Sequence, residues 1–244
     1  MSDKLPKIIN YCWFGGSKKS ELIERCIESW KKLCPDYEII EWNESNFDTN
    51  SNKYVREAYE NKKWAFVSDY VRLWAVYQYG GFYLDTDVEL VKSLDCLLHN
   101  DAFFSSENDI FINTGLGFGA KKKHPVVKQL LDSYSNISFY KKDGTLDELP
   151  CTRRNSKILE EKYGSLKEKM NSELIDGVLL LGKEYFCPFN PITGEMVKTE
   201  NTIGIHWFDA SWRSKRINQR EKLLRPIKRI LGVERFNRLT RKIK

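Results

Sequence analysis

No stretch of the 244-residue sequence approaches the ~18 consecutive apolar residues that a membrane-spanning helix needs. The opening MSDKLPKIIN has no apolar core before its first proline, so no secretory leader is expected. The six cysteines, at 12, 26, 34, 96, 151 and 187, form no C-x-x-C pair. Scattered in this way they read as reduced thiols of a cytoplasmic protein, not as a disulfide framework. Internal repeats and low-complexity linkers are also missing. What is present is 41% hydrophobic, 13% aromatic and 30% charged, which excludes a disordered or collagen-like chain. The length suffices to bury a core without disulfides or metal.

The net charge of +6 conceals an asymmetry. From Arg213 to Lys244 there are eight Arg, five Lys and two Glu, a balance of +11, which leaves −5 on the rest. The expected organisation is therefore an acidic body over 1–212 and a basic helical tail over 213–244. In the tail, Leu223, Leu224, Ile227, Ile230, Leu231 and Phe236 are set among Arg and Lys. A basic amphipathic segment of this kind suits an anionic membrane surface or a docking helix; the plainer alternative is a face folded onto the body. Pro226 predicts two short helices rather than one. Charge alone would allow nucleic acid, but no DNA- or RNA-binding motif accompanies it, so no nucleic-acid partner is expected.

Along the body, Lys7–Phe14 reads as a strand closed by Gly15-Gly16. Ser20–Leu33 has helical apolar spacing with Ser20 as N-cap, and Tyr37–Trp42 is a second strand. Strand, helix, strand in this order predicts a βαβ unit of an α/β domain. Trp64–Tyr79 is a helix stopped by Gly80-Gly81, and Phe82–Asp85 is a short strand. Weaker strands are expected at Phe103–Ser106 and Ile110–Ile112, and later strands at Val178–Leu181 and Thr202–Trp207. Helices are expected at Pro125–Tyr134 and Ser156–Met170.

The most informative segment is Tyr83-Leu-Asp85-Thr-Asp87. Residues i and i+2 of a strand face the same way, so Asp85 and Asp87 would present two carboxylates to one spot, with Glu89 next in parity. Such a pair suits a hard divalent cation, Mg²⁺ or Mn²⁺, whose other ligands are water and a substrate diphosphate. The end of a strand in an open α/β sheet is also where ligands bind. Standing alone, D-x-D is a weak signal that fits a solvated turn better than a site; the apolar lead-in and the preceding Gly-Gly favour a cleft. In the helix before it, Asp69 and Arg72 are i and i+3 among apolar neighbours, so they form either a structural ion pair or a pair that faces a site.

These residues carry a resemblance. Phe66-Val-Ser-Asp69-Tyr-Val-Arg72 followed by Tyr79-Gly-Gly-Phe-Tyr-Leu-Asp85-Thr-Asp87 resembles glycosyltransferase family 32, the capsular-polysaccharide type whose sugar-binding region contains a DXD motif. Its relatives include yeast initiating mannosyltransferases and clostridial glucosylating toxins. Pro6–Gly16 and Cys34–Asn43 look like further family segments, so the likeness runs from about Pro6 to Leu98 and loosens after Asn113. It implies a GT-A-type α/β fold, a Rossmann-like domain with a mixed central sheet flanked by helices. It also implies a nucleotide-sugar donor, a divalent cation, usually Mn²⁺, and retention of anomeric configuration. Residue by residue, Asp87 would bind the metal, Asp85 would contact the ribose or the metal through water, and Asp69 and Arg72 would hold the donor sugar and phosphate side. Trp13 would stack on the base. Asn10 stands where many members carry His and is read as structural or as a support behind the residues that touch the donor.

In the later half, His206 reads from the residues alone as a satisfied, half-buried histidine; the resemblance makes it a ligand to metal or diphosphate. His99 and His124 read as surface or helix-cap residues. The resemblance also makes Ser211 and Trp212 a lid over the phosphates, where plain packing is the alternative for Trp212. Asn113-Thr-Gly-Leu-Gly-Phe-Gly119 lacks the Gly-Lys-Ser/Thr of a P-loop. The resemblance puts Asn113 beside the donor sugar; otherwise the segment is a tight turn needing positive φ. The resulting expectation is a cytoplasmic transferase, peripheral on the inner face of the cell membrane. It would move a hexose, from a UDP-sugar first of all, to a lipid-linked glycan for capsule or another surface polysaccharide. The alternatives are a toxin-like protein glucosyltransferase, disfavoured by the lack of a delivery domain, and a non-enzymatic basic binding module.

Overall fold

The computed structural model describes residues 5–108, 110–174, 176–209 and 215–241. The strands are β1 Ile8–Cys12, β2 Glu38–Trp42, β3 Gly81–Tyr83, β4 Val88–Leu90, β5 Ala102–Ser105, β6 Phe118–Ala120, β7 Val178–Leu181 and β8 Gly204–His206. The helices are α1 Glu21–Leu33, α2 Lys53–Glu60, α3 Trp64–Tyr79, α4 Pro125–Asp132, α5 Cys151–Tyr163, α6 Leu166–Lys169, α7 Lys183–Phe186, α8 Lys215–Leu231 and α9 Val233–Arg241.

Six strands form a mixed sheet in the order β2-β1-β3-β6-β5-β7. β1 runs parallel to β2 and β3, β6 is antiparallel to β3 and β5, and β5 is parallel to β7. β4 and β8 make a separate antiparallel pair. Alternation along the strands sends successive side chains to opposite faces. Phe82 and Phe103 enter one apolar cluster with Trp30 of α1; Tyr83 and Phe104 enter the other with Val71 and Val76 of α3. The chain therefore has a core on each side of its sheet.

α1 starts where expected: the Ser20 side chain accepts from the backbone N–H of Ile23, and Trp30 Nε1 donates 2.7 Å to the carbonyl of Val88, fastening the helix to β4. α3 keeps the bounds read from its apolar run and its Gly80 stop. Its burial on several sides explains that run, which lacks the polar stripe of a surface helix. Asn10 is structural. It is fully buried, donates to the carbonyls of Gly80 and Phe82, and accepts from Trp42 Nε1 at 2.9 Å. It thereby ties β1 to the chain leaving α3.

Several elements differ from expectation. α2 was not anticipated; Asn52 caps it by accepting from Val55 N–H. The helix expected at Ser156–Met170 begins earlier, at Cys151, and ends at Gly164, whose φ of +80° suits glycine, before the short α6. Ile110–Ile112 is not a strand; only Ile112 bridges, to Ser106. In the tail, α8 continues through Pro226, and the break falls at Gly232, where φ is +75°. A proline removes one helical hydrogen bond, whereas a left-handed residue reverses the backbone and ends the helix.

Candidate functional site

A cleft of about 500 Å³ opens beyond the ends of β1 and β3. One wall comes from α3 and the turn between β3 and β4. β3 ends at Tyr83, so Asp85 and Asp87 do not sit at i and i+2 of a strand, as parity reasoning had them. Asp85 N–H donates 2.8 Å to the carbonyl of Gly115, and the Asp85 carbonyl accepts from Val88 N–H at 3.0 Å. This tight turn, not strand pleat, brings both carboxylates to the cleft, which each lines. Glu89 leaves the pair: its carboxylate accepts from Trp207 Nε1 at 2.8 Å and faces Arg25.

Arg72 is the hub of this wall. It is 4% exposed. Its Nη2 lies 3.1 Å from Asp85 Oδ1 and 3.3 Å from Asp69 Oδ1, and its Nε donates to the carbonyl of Ser68. The guanidinium lies over the Tyr83 ring, and the Tyr83 hydroxyl donates 3.0 Å to the same Asp85 oxygen. Asp69 stands behind Arg72 and does not line the cleft. Burial, only partly offset by Arg72, pushes the Asp69 carboxyl above the usual range. Burial works against the Arg72 charge, but Asp85, Tyr83 and Asp69 more than reverse this and hold it protonated. Cys12, also in the cleft, is a buried thiol pushed up to about 12.

Asp87 faces the other way, toward β8. Its Oδ1 is 3.2 Å from His206 Nε2, its Oδ2 accepts from Asp209 N–H at 2.8 Å, and its carbonyl accepts from Trp207 N–H. Burial opposes its charge, yet His206 and these donors hold its carboxyl below the usual range. Burial likewise pulls His206 down, but Asp87 above all, with Asp85 and Glu107, lifts it above the ordinary imidazole value. His206 Nδ1 is buried without a partner among the described residues. Phe208, between the two Asp87 contacts, holds φ at +51°. This left-handed turn aims the Asp209 N–H back at Asp87, and a bulky residue there carries backbone strain.

The sequence expectations fare unevenly. Trp13, Arg72, Asp85, Asp87 and His206 share the cleft. Among the described residues, no three His, Cys, Asp or Glu side chains converge as a complete metal centre, so His206 sits on Asp87 rather than in a three-ligand set. Asn113 does not line the cleft. Its amide is taken up locally, donating to Glu107 and accepting from Gly115 N–H, and it is Glu107 that faces the cavity. Ser211 and Trp212 lie outside the described residues. The glycines of 113–119 do not need positive φ; they need space. A Cβ on Gly115 would come within 2.0 Å of Asp85 Oδ2, and one on Gly117 would meet the Phe186 ring.

The opposite wall was largely missed. It comprises Glu107, the loop at Pro191-Ile192, Phe208, Asp209, and Glu221, Lys222 and Arg225 of α8. The tail thus lends three side chains to the cleft. The high density of charge in 215–229 was visible in sequence, but nothing local says which face a helix turns inward. The cleft lining carries five carboxylates against three fixed cations, a balance of −2 with His206 neutral. An anionic substrate is repelled by such a site unless a cation enters with it. Two carboxylates of a hard-oxygen type, Asp85 and Asp87, fit a divalent ion completed by water and substrate oxygens.

Comparison with known proteins agrees with this geometry. Residues 20–104 match the model of the glycosyltransferase sugar-binding region containing DXD motif. Inositol phosphoceramide mannosyltransferase 3 of Schizosaccharomyces pombe is 30% identical over 145 residues, covering 57% of this chain and 39% of that protein. Mannosyl phosphorylinositol ceramide synthase SUR1 of Saccharomyces cerevisiae is 27% identical over 143 residues, covering 56% and 36%. The chain spans about two fifths of the length of these curated relatives. Among solved structures, PaToxG glycosyltransferase superposes with a TM-score of 0.52 at 20% identity, covering 66% of this chain and 70% of that one, a likeness of fold. The chain therefore has a mixed sheet of GT-A type, and its residues 20–104 are similar to the DXD-containing sugar-binding region of glycosyltransferases.

Proposed function

We propose that this protein is a metal-dependent glycosyltransferase that moves a hexose from a nucleotide sugar to a glycan or glycolipid acceptor. The observation that carries the reading is that Asp85 and Asp87 line one cleft whose lining is short of positive charge by two. A divalent ion, Mn²⁺ or Mg²⁺, held by this pair and by diphosphate oxygens would neutralise charge on the departing nucleoside diphosphate. The chain's own contribution is position. Arg72 and Tyr83 fix Asp85, while His206 and Asp209 N–H fix Asp87. Trp13, whose Nε1 is anchored on the Ser17 carbonyl, offers a ring to the base at the cleft mouth.

The two curated relatives are named for mannosyl transfer, so mannose joins the UDP-hexoses as a donor sugar to test. Retention, and a role in surface polysaccharide or glycolipid synthesis, belong to the proposal through the family likeness. So does attachment to the inner membrane face. Leu223, Ile227 and Ile230 of α8 are exposed at helical spacing beside Arg220 and Arg229, a pattern that suits an anionic bilayer. Among the described residues no helix is long and apolar enough to cross a membrane. The test is nucleoside diphosphate release from GDP-mannose and from UDP-hexoses, with Mn²⁺ and with chelator. Release that needs the metal supports the reading; none with any of these donors, in folded protein, overturns it.

A further inference from the structure

The cations of the cleft are not equally committed. Arg72 is taken up by Asp69 and Asp85. Lys222 lies 3.8 Å from Asp209. Arg225 is different. Its Nε donates 2.9 Å to the carbonyl of Pro191, and its guanidinium lies over the Phe189 ring, 5.0 Å from the centroid. Among the described residues no carboxylate lies within 4 Å of it; Glu221, one turn earlier on α8, is engaged by Lys228. The 189–195 loop closes on the stem of Arg225 through Gly194, where φ is +74° and a Cβ would come within 3.4 Å of Arg225 Cδ.

The guanidinium is therefore clamped at Nε and on one face, half-buried, and set in the wall of the cleft. A planar fork held in this way matches two oxygens of a phosphate, with little side-chain entropy left to lose. The loop contacts use only Nε and one face of Arg225, and Glu221, whose charge also acts on it, is bonded to Lys228; the outer edge of the guanidinium is left for an incoming anion.

We propose that Arg225 is a phosphate anchor, delivered into the cleft by α8, so that the basic tail is part of the substrate site. The proposal rests on the glycosyl-transfer reading above. The phosphate has two possible sources with the same chemistry, the diphosphate of the donor or a phosphate on the acceptor.

The test uses the full chain with Mn²⁺ and compares wild type, Arg225→Ala, Arg225→Lys and Arg229→Ala. Arg229 faces Glu195 on the surface, so Arg229→Ala removes the same charge from the same helix outside the cleft. Calorimetric Kd values are measured for GDP, UDP and inositol 1-phosphate, with guanosine and uridine as phosphate-free probes, and circular dichroism confirms folding. A tenfold or greater loss of nucleoside diphosphate affinity in Arg225→Ala, partly restored in Arg225→Lys and absent in Arg229→Ala, supports the anchor with the donor as source. The same pattern confined to inositol 1-phosphate supports it with the acceptor as source. Wild-type binding matched by both Arg225 variants overturns the anchor and spares the transferase reading. Equal losses in Arg225→Ala and Arg229→Ala overturn it as mere bulk charge. Wild-type protein that binds none of the probes overturns both.

Discussion

The two walls of the cleft are built on opposite plans. The α3 wall draws its charged groups from one stretch, 69–87, and buries the pair behind the D-x-D carboxylates: Asp69 is 6% exposed and Arg72 4%, while Asp85 and Asp87 are half-buried. Arg72 alone touches Asp69, Asp85, Ser68 and Tyr83. The facing wall gathers Glu107, Pro191, Asp209 and α8 from distant parts of the chain, and its cations Lys222 and Arg225 keep contact with water. A buried ionic network resists change, because removing one member strands the others at a cost of about 3–5 kcal/mol. Exposed groups re-solvate and move cheaply. On the proposed function, the buried wall fixes Asp85 for the cation, and the facing wall supplies groups that meet the incoming substrate.

The largest effect expected is from Asp87→Asn. It withdraws an anionic ligand and the partner of His206, and nucleoside diphosphate release should fall at least 1,000-fold, about 4 kcal/mol in barrier. Single-turnover assays on folded protein measure it; near-normal release would assign the metal elsewhere. Arg72→Lys comes next. Lysine keeps the charge but cannot serve Asp69, Asp85 and Ser68 together, so turnover should drop more than tenfold, about 1.4 kcal/mol. A lower melting temperature with unchanged turnover of the folded fraction would make the buried wall purely structural.

Gly115→Ala should cost about tenfold in turnover, because its Cβ would displace the Asp85 carboxylate. Overpacking of this kind typically destabilises by about 1–3 kcal/mol, which a urea titration reads independently of activity. The smallest effect is expected on the facing wall. Phe208→Gly should be more stable than Phe208→Ala by about 1 kcal/mol, since only glycine takes φ of +51° without strain. Equal urea midpoints for the two variants would show that the turn relaxes freely.

The same division governs what could be read from the sequence. Asp69 with Arg72, the D-x-D pair, the cap of α1 and the limits of α3 are local features, set by helical spacing and chain order. The parity argument placed both carboxylates at one cleft, which they line, but through the wrong geometry, because the hydrogen bond from Asp85 N–H to the Gly115 carbonyl pulls the chain out of the strand early. Asn113 entered through the family likeness; that its amide is bonded to Glu107 is decided by the folded loop and has no local sequence signal. The alternative for 113–119, a turn needing positive φ, does not hold at Gly115 and Gly117, which leave room for the Asp85 and Phe186 side chains. Arg225 and Lys222 were invisible as site residues, since the tail reads as a charge pattern whose inward face is decided by contacts with residues 189–209. α2 had a signal that went unused, Asn52 followed by Tyr54, Val55 and Ala58 at helical spacing.

The most direct measurement of the central claim is metal-dependent donor cleavage by wild type and Asp87→Asn side by side. GDP-mannose and UDP-hexoses are incubated with Mn²⁺ or with chelator, and released GDP or UDP is quantified. The predicted result is release by wild type with Mn²⁺ only, lost in Asp87→Asn of intact fold. Release that survives chelation, or that the variant retains, would contradict a cation held by Asp85 and Asp87 in this cleft.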